Sequence, residues 1–452
     1  MTEDTVRVGV LSLHNSKESK AICNAIEALG HEPAWLREEN TVVRTTDDGV
    51  ELEPDVDVIV NRLLLSNTPQ PCEALGLAST VAQLRPTLNQ PAATMTATHK
   101  IAAGATLAEA DVPVPRALFA LSSARLDRER DAFGEEAVYK TAIGTHGGGT
   151  WKIGPDDTVG AQVGNRYAFL QELIERGDER ARDLRAYVVD GEVVGAMYRY
   201  APENDWRTNV ALGGSVEDAI DDLTPELRGM AADAADAVGL DVAGVDLVES
   251  ADGWKVLEVN PTAGFKGLHS ATGISPAPHI AQLAIERGGG AVDEAAVARL
   301  EATLDDSVPD CKPEAVPTRR SEPTVIGYTE EVTVTGTSGS RTVTAKSDTG
   351  ATRTSVDTSL AADVGAGPIK SVARVKSGSV KGGKSRPVVD LVVGVGGTQH
   401  TVTASVEDRG HMEYPLLLGR DILEHYRVDV RRRADAGGSG ADEATAEEEA
   451  EE

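Results

Sequence analysis

Aromatic side chains are scarce in this 452-residue chain, at 4%. Ala and Val stand where larger apolar residues are usual. Only three cysteines occur, Cys23, Cys72 and Cys311. They are far apart and odd in number, which excludes a disulfide framework or a zinc ribbon. Bases are few: 44 Lys plus Arg against 73 Asp plus Glu, a formal net charge of −29. Phosphate repels such a surface, so nucleic acid is not the expected partner. No apolar run is long enough to span a bilayer, so no membrane partner is expected either. The opening MTEDTVRVGVLSL lacks a basic-then-apolar export signal, which makes the cytoplasm the expected location. The first strand carries no GxGxxG loop, so it is not read as a dinucleotide site.

The length predicts two or three domains with cores of their own. Part of the negative charge is a tail. From Ala434 onward there are eight acids and no base, and disorder is expected there. The body is acidic as well, and Arg is preferred over Lys. This pattern fits adaptation to high salt, where screening relieves self-repulsion. It also fits an ordinary acidic protein from a high-GC genome.

Residues 6–11 (VRVGVL) have a buried-strand pattern. Residues 17–29 follow with helical spacing, Ala21, Ile22, Ala25, Ile26 and Leu29 sharing a face before Gly30. DVIV at 57–60 gives another strand, ending at Asn61-Arg62. A helix is expected around 98–110, and strands at 137–141, 151–153 and 167–171. Residues 184–189 and 192–198 pair through Asp190-Gly191. Thr224-Pro225-Glu226 opens a helix that runs to Gly239. Residues 291–323, with a short Ala-rich helix and then four prolines, read as a linker. Beyond them, short alternating runs rich in Val, Thr and Gly predict an all-β domain. The expected division is 1–93, 94–290, linker 291–323, β domain 324–433 and tail 434–452.

The most informative stretch is 241–260, DVAGVDLVESADGWKVLEVN. Two strand-like runs flank the turn Ala251-Asp252-Gly253. A hairpin centred near Asp252 sets Asp246 opposite Glu258. Alternation places Trp254, Val256, Glu258 and Asn260 on one face. Two opposed carboxylates repel each other. With an Asn amide oxygen one pleat further on, the trio suits a hard divalent cation. The same pattern also fits a hairpin whose acids face solvent.

Other polar groups precede it. Lys100 and Lys140 are point charges suited to phosphate. The loop GTHGGGT at 144–150 can aim backbone N–H groups at anionic oxygens. Glu172 ends an apolar strand, where it can pair with an adenine edge. Asp183, Arg185, Arg207 and Asn209 are polar islands in a Val/Ala-rich region. Singly, each also reads as a surface charge or a plain turn.

In their order, THK (98–100), YKTAIGTHGGGTWK (139–152), LQELI (170–174), DLRAYVVDGEVVGA (183–196), DWRTNVALGG (205–214), DVAGVDL (241–247) and LEVNPTAGFKGL (257–268) resemble the ATP-grasp ligases, and within them the RimK and LysX group of amino-acid ligases. The resemblance covers about the first 285 residues. It implies that Lys100, Lys140, Gly147, Gly148, Glu172, Leu173 and Asp183 contact ATP. By the same resemblance Arg207 and Asn209 face the phosphates and the acyl intermediate, with Arg207 catalytic. Asp246, Glu258 and Asn260 would hold two Mg2+ ions, with Mn2+ as a substitute. Two features depart from the pattern: His146 in the glycine loop, where Gln is usual, and a charged stretch at 176–182 that is slightly long. The implied chemistry turns a carboxylate into an acyl phosphate by transfer of the ATP γ-phosphoryl group. An amine then attacks, phosphate leaves and an amide forms. Arg207 would stabilise the transferring group and the later oxyanion.

Further on, Ser347-Asp348-Thr349-Gly350-Ala351 follows a strand, and PLLLG at 415–419 gives an apolar strand ending in Gly. With IGYTE at 326–330 and VEDR at 406–409, these resemble the retropepsin-type aspartic proteases, and more closely the RimK-associated family often labelled ATP-dependent zinc proteases. The implied fold class is thus α/β plus all-β: a pre-ATP-grasp domain, an ATP-grasp domain and a small retropepsin-like β-barrel. Zinc is not expected, because there is no HExxH and His400, His411 and His425 lack ligand spacing. An aspartic protease needs two carboxylates sharing a proton. One Asp-Thr-Gly per chain means that catalysis at Asp348 requires a dimer. A silent β domain that binds a peptide fits equally well.

The leading expectation is a ligase that adds glutamate, or a similar amino acid, to a protein or small-molecule carboxylate, with Arg185 and Arg199 as candidates for holding the acidic substrate. A homo-oligomer is expected. A peptidase with a regulatory ATP-grasp part is the second reading. The third is a binding module with a degenerate ligase, against which the intact acidic trio argues.

Overall fold

The computed structural model describes residues 5–66, 68, 70–144, 149–163, 166–174, 180–203, 206–208, 214–314, 324–367, 369–375 and 384–434. The chain divides into two compact units, Met1–Val316 and Pro317–Glu452.

The first unit opens with a parallel four-stranded sheet in the order Glu32–Leu36, Arg7–Leu11, Val58–Asn61, Thr87–Leu88. Both faces are covered, which is why its strands read as apolar runs rather than alternating ones. Val8 and Val10 point to a core shared with helices Lys17–Ala28 and Ala277–Arg287. Leu11, Leu36 and Ile59 point the other way, to helix Pro71–Leu84. Ser16 caps the first helix, its Oγ accepting from the Ser19 N–H at 2.9 Å. The chain places its second strand on one side of Arg7–Leu11 and its next parallel strand on the other. The crevice beyond the carboxyl ends of Arg7–Leu11 and Val58–Asn61 is therefore a topological switch point.

Two further sheets follow. In one, Ala137–Thr141 pairs antiparallel with Thr150–Ile153 and with Arg166–Glu172. The other runs Ser215–Asp218, Glu192–Tyr200, Arg182–Val189, Val242–Ser250, Gly253–Asn260. Helix Pro225–Val238 covers one face of this second sheet, capped by Thr224 and ended by Gly239 at φ +78°. The helix expected around 98–110 is two helices, Pro91–Thr98 and Lys100–Glu109, because His99 is extended and caps the second through its ring. Residues 291–314 lie against this unit. Asn24 donates to the Asp305 and Ser307 carbonyls, Lys17 pairs with Asp306 at 2.7 Å, and Cys311 packs on the core that holds Cys23.

The second unit is a barrel. Its strands pair in the ring Val325–Gly336, Gly339–Ser347, Leu416–Leu418, Ser355–Asp357, Thr398–Glu407, Lys384–Val395, and the last strand returns to the first through Thr333↔Gly394 and its neighbours. Closure removes the exposed edges of those six strands. Val334, Val356, Val393, Ala404, Leu416 and Leu418 fill the interior. They are aliphatic residues.

Candidate active site

The acidic hairpin forms in the expected register, Asp246 opposite Glu258 and Gly244 opposite Asn260. The expected common face does not form. A β-bulge leaves Leu257 without a partner, and the pairing resumes at Leu247↔Val256. Val256 and Val259 consequently both pack in the core under helix Pro225–Val238, with Trp254 against them. Glu258 and Asn260 turn with Asp246 into a cleft of ≈ 1710 Å³. The bulge lets one strand bury apolar residues and still present acids. At Gly244 a Cβ would stand 2.5 Å from the Ala263 Cβ, so no larger residue fits between the hairpin and the chain beyond it.

The cleft collects Lys100, Lys140, Glu172, Leu173, Asp183, Arg207, Asp246, Glu258 and Asn260. Gly147, Gly148, Asn209 and His146 lie outside the described residues, as does most of the stretch 176–182. Lys100 reaches Glu258 at 2.7 Å. Lys140 is buried near the end of its strand; burial pulls it down to about 8, against the nearby Glu258. Burial would raise Glu258, but Lys100 and Lys140 hold it below the usual range. The Glu172 carboxylate accepts from the Arg116 N–H at 3.1 Å and from Lys255 at 3.1 Å.

Asp183 was expected on the nucleotide, yet both its oxygens are engaged by protein. Arg199 donates to them at 2.7 and 2.5 Å and Thr208 at 2.5 Å. Arg185 and Arg199, expected to receive an acidic substrate, also spend their charge within the protein, on Asp246 and Asp183. Periodicity marks these residues as polar but says nothing of which acid meets which base. The cleft has a further lining residue that sequence reasoning passed over, Arg62. The only sequence signal was a charge placed directly after an apolar strand.

In the second unit, Asp348 follows strand Gly339–Ser347, which runs parallel to Leu416–Leu418. Its N–H donates to the Leu418 carbonyl at 3.0 Å, and its Oδ1 accepts from the Gly350 N–H at 2.9 Å. At Gly419 a Cβ would lie 2.4 Å from the Arg353 carbonyl carbon, so only glycine admits that crossing. The Asp-Thr-Gly turn and the apolar strand ending in Gly are thus adjacent in space, as their resemblance implies.

Two antiparallel sheets around a deep cleft, preceded by a parallel α/β domain, define an ATP-grasp ligase. One solved structure, ATP-grasp ligase PsnB complexed with a phosphomimetic variant of minimal precursor, Mg and ADP, covers 64% of this chain and 100% of its own at TM-score 0.51 and 22% identity, which shows the fold. The RimK-like ATP-grasp domain model matches residues 97–284. The model of the retropepsin-like aspartic endopeptidase RimB matches residues 366–436, a stretch that holds Leu416–Leu418 and begins after Asp348. The chain is 35% identical over 209 residues to the tetrahydromethanopterin:alpha-L-glutamate ligase of Methanocaldococcus jannaschii, covering 44% of this chain and 70% of that protein. It is 31% identical over 284 residues to the probable alpha-L-glutamate ligase 2 of Hahella chejuensis, covering 59% and 91%. The chain belongs to the RimK-like ATP-grasp family and is an ATP-dependent carboxylate-amine ligase that carries a retropepsin-like domain.

Proposed function

We propose that this ligase adds glutamate, or a similar acidic amino acid, to a carboxylate on a protein or small molecule by way of an acyl phosphate. The observation that carries the reading is the pair Asp246 and Glu258, opposed across a hairpin and facing a cleft that also holds Lys100 and Lys140. The donors are two carboxylates and an amide, an oxygen set suited to a hard cation, and magnesium is the ion proposed. Arg185, Arg199 and Lys100 pair with the two carboxylates, and acids that draw this much positive charge support the reading. Asp246, Glu258 and Asn260 would hold two ions, whose chemistry is to neutralise charge on the transferring phosphoryl group.

The remaining roles fall to the chain's own groups. Lys140, buried on its strand, draws phosphate into the cleft. Lys100 leaves Glu258 and follows. Glu172 and the Leu173 peptide meet the adenine edge. Asp183 positions Arg199 rather than touching the nucleotide. Arg207 faces the carboxylate being activated and stabilises the oxyanion that forms when the amine attacks. Asn209, Gly147 and Gly148 complete the phosphate contacts.

The retropepsin-like domain trims or recognises the same product, and its tether raises the effective concentration of that product. Cleavage would need two copies, each contributing one Asp348. The acidic composition supports a cytoplasm of high salt.

A panel of amino acids and acceptors scored by phosphate release tests the reading. Glutamate-dependent release is expected. Its absence across the panel would remove the proposal.

A further inference from the structure

Arg62 lines the cleft as a buried charge for which no ion pair forms among the described residues. It directly follows strand Val58–Asn61, and its N–H donates to the Leu11 carbonyl at 2.9 Å, so it stands on the switch point between the two central parallel strands. Asn61 fixes the turn, donating to the Asn89 carbonyl at 3.0 Å and accepting from the Leu63 N–H at 3.2 Å. The Arg62 side chain is then held from two sides. Its Nη2 donates to the Ala263 carbonyl at 3.2 Å, and its guanidinium lies 5.3 Å from the centre of the Phe265 ring.

Arg62 is only 4% exposed, and its Nε has no hydrogen-bond partner. Among the described residues, no carboxylate lies within 4.0 Å of it. The acid whose charge it feels most, Glu18, is held by the Phe265 N–H at 3.2 Å. The contrast with Arg185 and Arg199 is sharp, since each of those has a carboxylate in a two-pronged grip. A guanidinium stays protonated even when buried, and a buried charge without a partner is destabilising. Such a group is retained where a ligand completes it. The ligand must be an anion, and the planar fork of donors matches a carboxylate. Nearby, helix Lys17–Ala28 presents its positive end to the same cleft at Ser16.

We propose that Arg62 receives the carboxylate of the incoming amino acid that takes no part in bond formation. The inference rests on the ligase reading above and names the subsite for its amine substrate. The carbonyl that Arg62 grips, Ala263, is three residues beyond Asn260, so the subsite adjoins the acidic trio. The carboxylate that becomes phosphorylated must sit at the trio itself. A guanidinium clamped on Phe265 and Ala263 orients a group that does not change during the reaction. A buried guanidinium is also reached more readily by a free amino acid than by a carboxylate on a protein. Holding the amino acid by its carboxylate turns its amine toward the acyl phosphate and shields that carboxylate from activation.

The test is calorimetric titration of the full chain, with ADP and magnesium present, with L-glutamate, L-glutamine (the γ-amide) and L-isoglutamine (the α-amide). Wild type should bind L-glutamate at least tenfold more tightly than one of the two amides. Arg62→Met should bind it about 10–100-fold more weakly and discriminate no longer, and Arg62→Lys should fall between, with ADP affinity within about threefold throughout. Equal L-glutamate affinity in wild type and Arg62→Met would overturn the proposal. So would a raised KM for the acceptor with an unchanged KM for glutamate, which would give the subsite to the other substrate. Should Arg62→Met fail to fold, the wild-type preference alone decides, and equal binding of all three ligands overturns the proposal. Intact glutamate binding without glutamate-dependent phosphate release would sink the ligase reading and leave the Arg62 subsite standing.

Discussion

The Arg185 guanidinium grips the Asp246 carboxylate in two parallel bonds, Nε to Oδ1 at 2.5 Å and Nη2 to Oδ2 at 2.7 Å. The Arg199 Nη2 reaches the same Oδ2 at 2.9 Å and, together with Nε, also bonds Asp183. Four buried charges of alternating sign therefore run through the floor of the cleft. Burial would push Asp246 up, but the two guanidiniums hold it at about 2.

Removing the central carboxylate leaves Arg185 without its carboxylate and Arg199 with Asp183 alone. Asp246→Asn is expected to cost about 3–5 kcal/mol of stability in urea denaturation and to abolish amine-dependent phosphate release. Glu258→Gln takes the ion-pair partner from Lys100 and a neighbouring negative charge from Lys140, and the Glu258 side chain is 29% exposed. Its cost should be about 1 kcal/mol or less, with turnover still lost. An Asp246→Asn chain as stable as wild type would contradict the network.

Acid should dismantle the same network. The folded value of Asp246, about 2, lies below that of an unfolded aspartate, about 3.9. The stability this group contributes is complete above about pH 4 and disappears as pH falls through 2, some 2.5 kcal/mol in all. Denaturation midpoints measured between pH 5 and 2 should decline more steeply in wild type than in Asp246→Asn.

Lys140 works in the opposite direction. At about 8 in the fold against about 10.4 unfolded, it opposes stability below pH 8, and that cost is relieved as pH rises from 8 to 10.4. Its affinity for phosphate depends on the charged form. The Kd for ADP at fixed magnesium should rise about tenfold per pH unit above 8, and Lys140→Arg should flatten the profile, because guanidinium keeps its proton. A wild-type Kd constant from pH 7 to 9.5 would remove Lys140 from the phosphate site.

The two units are expected to fail independently. Asp348→Ala should leave glutamate-dependent phosphate release intact and remove any peptide cleavage, while Glu258→Ala should do the reverse. Cleavage that vanishes in Asp348→Ala, in a chain whose phosphate release never depended on an amine, would instead make the β domain the main activity.

The charge of −29 makes salt a further test. If the composition reflects a high-salt setting, the thermal midpoint should climb by several degrees between 0.1 and 2 M KCl as repulsion is screened. Greatest stability in dilute buffer would refute that reading.

Much of this arrangement was legible beforehand, where local rules are strong. The strand Ala137–Thr141, the capped helix Pro225–Val238 and the register Asp246↔Glu258 all follow from periodicity, a Thr-Pro cap and a Gly turn. The bulge at Leu257 was not, because one unpaired residue reverses the facing of a strand without leaving a mark in composition. Cys23 and Cys311, 288 positions apart, looked unrelated. Their thiols meet because residues 291–314 fold back over the first helix.

Sequence alone determined the kind of chemistry: which side chains carry charge, the order in which they occur, and the alternation that puts acids and a basic pair on strands. Local spacing suffices for that, since faces repeat every two or every 3.6 residues. Only tertiary structure decided how the charges are spent. Arg185, Arg199 and Arg62 look alike in the chain, but two are bonded by acids 61 and 16 positions away, while the third is buried beside Phe265 with no carboxylate of the described residues within 4.0 Å. Pairing over such distances depends on which strands become neighbours, a property that no window of residues contains.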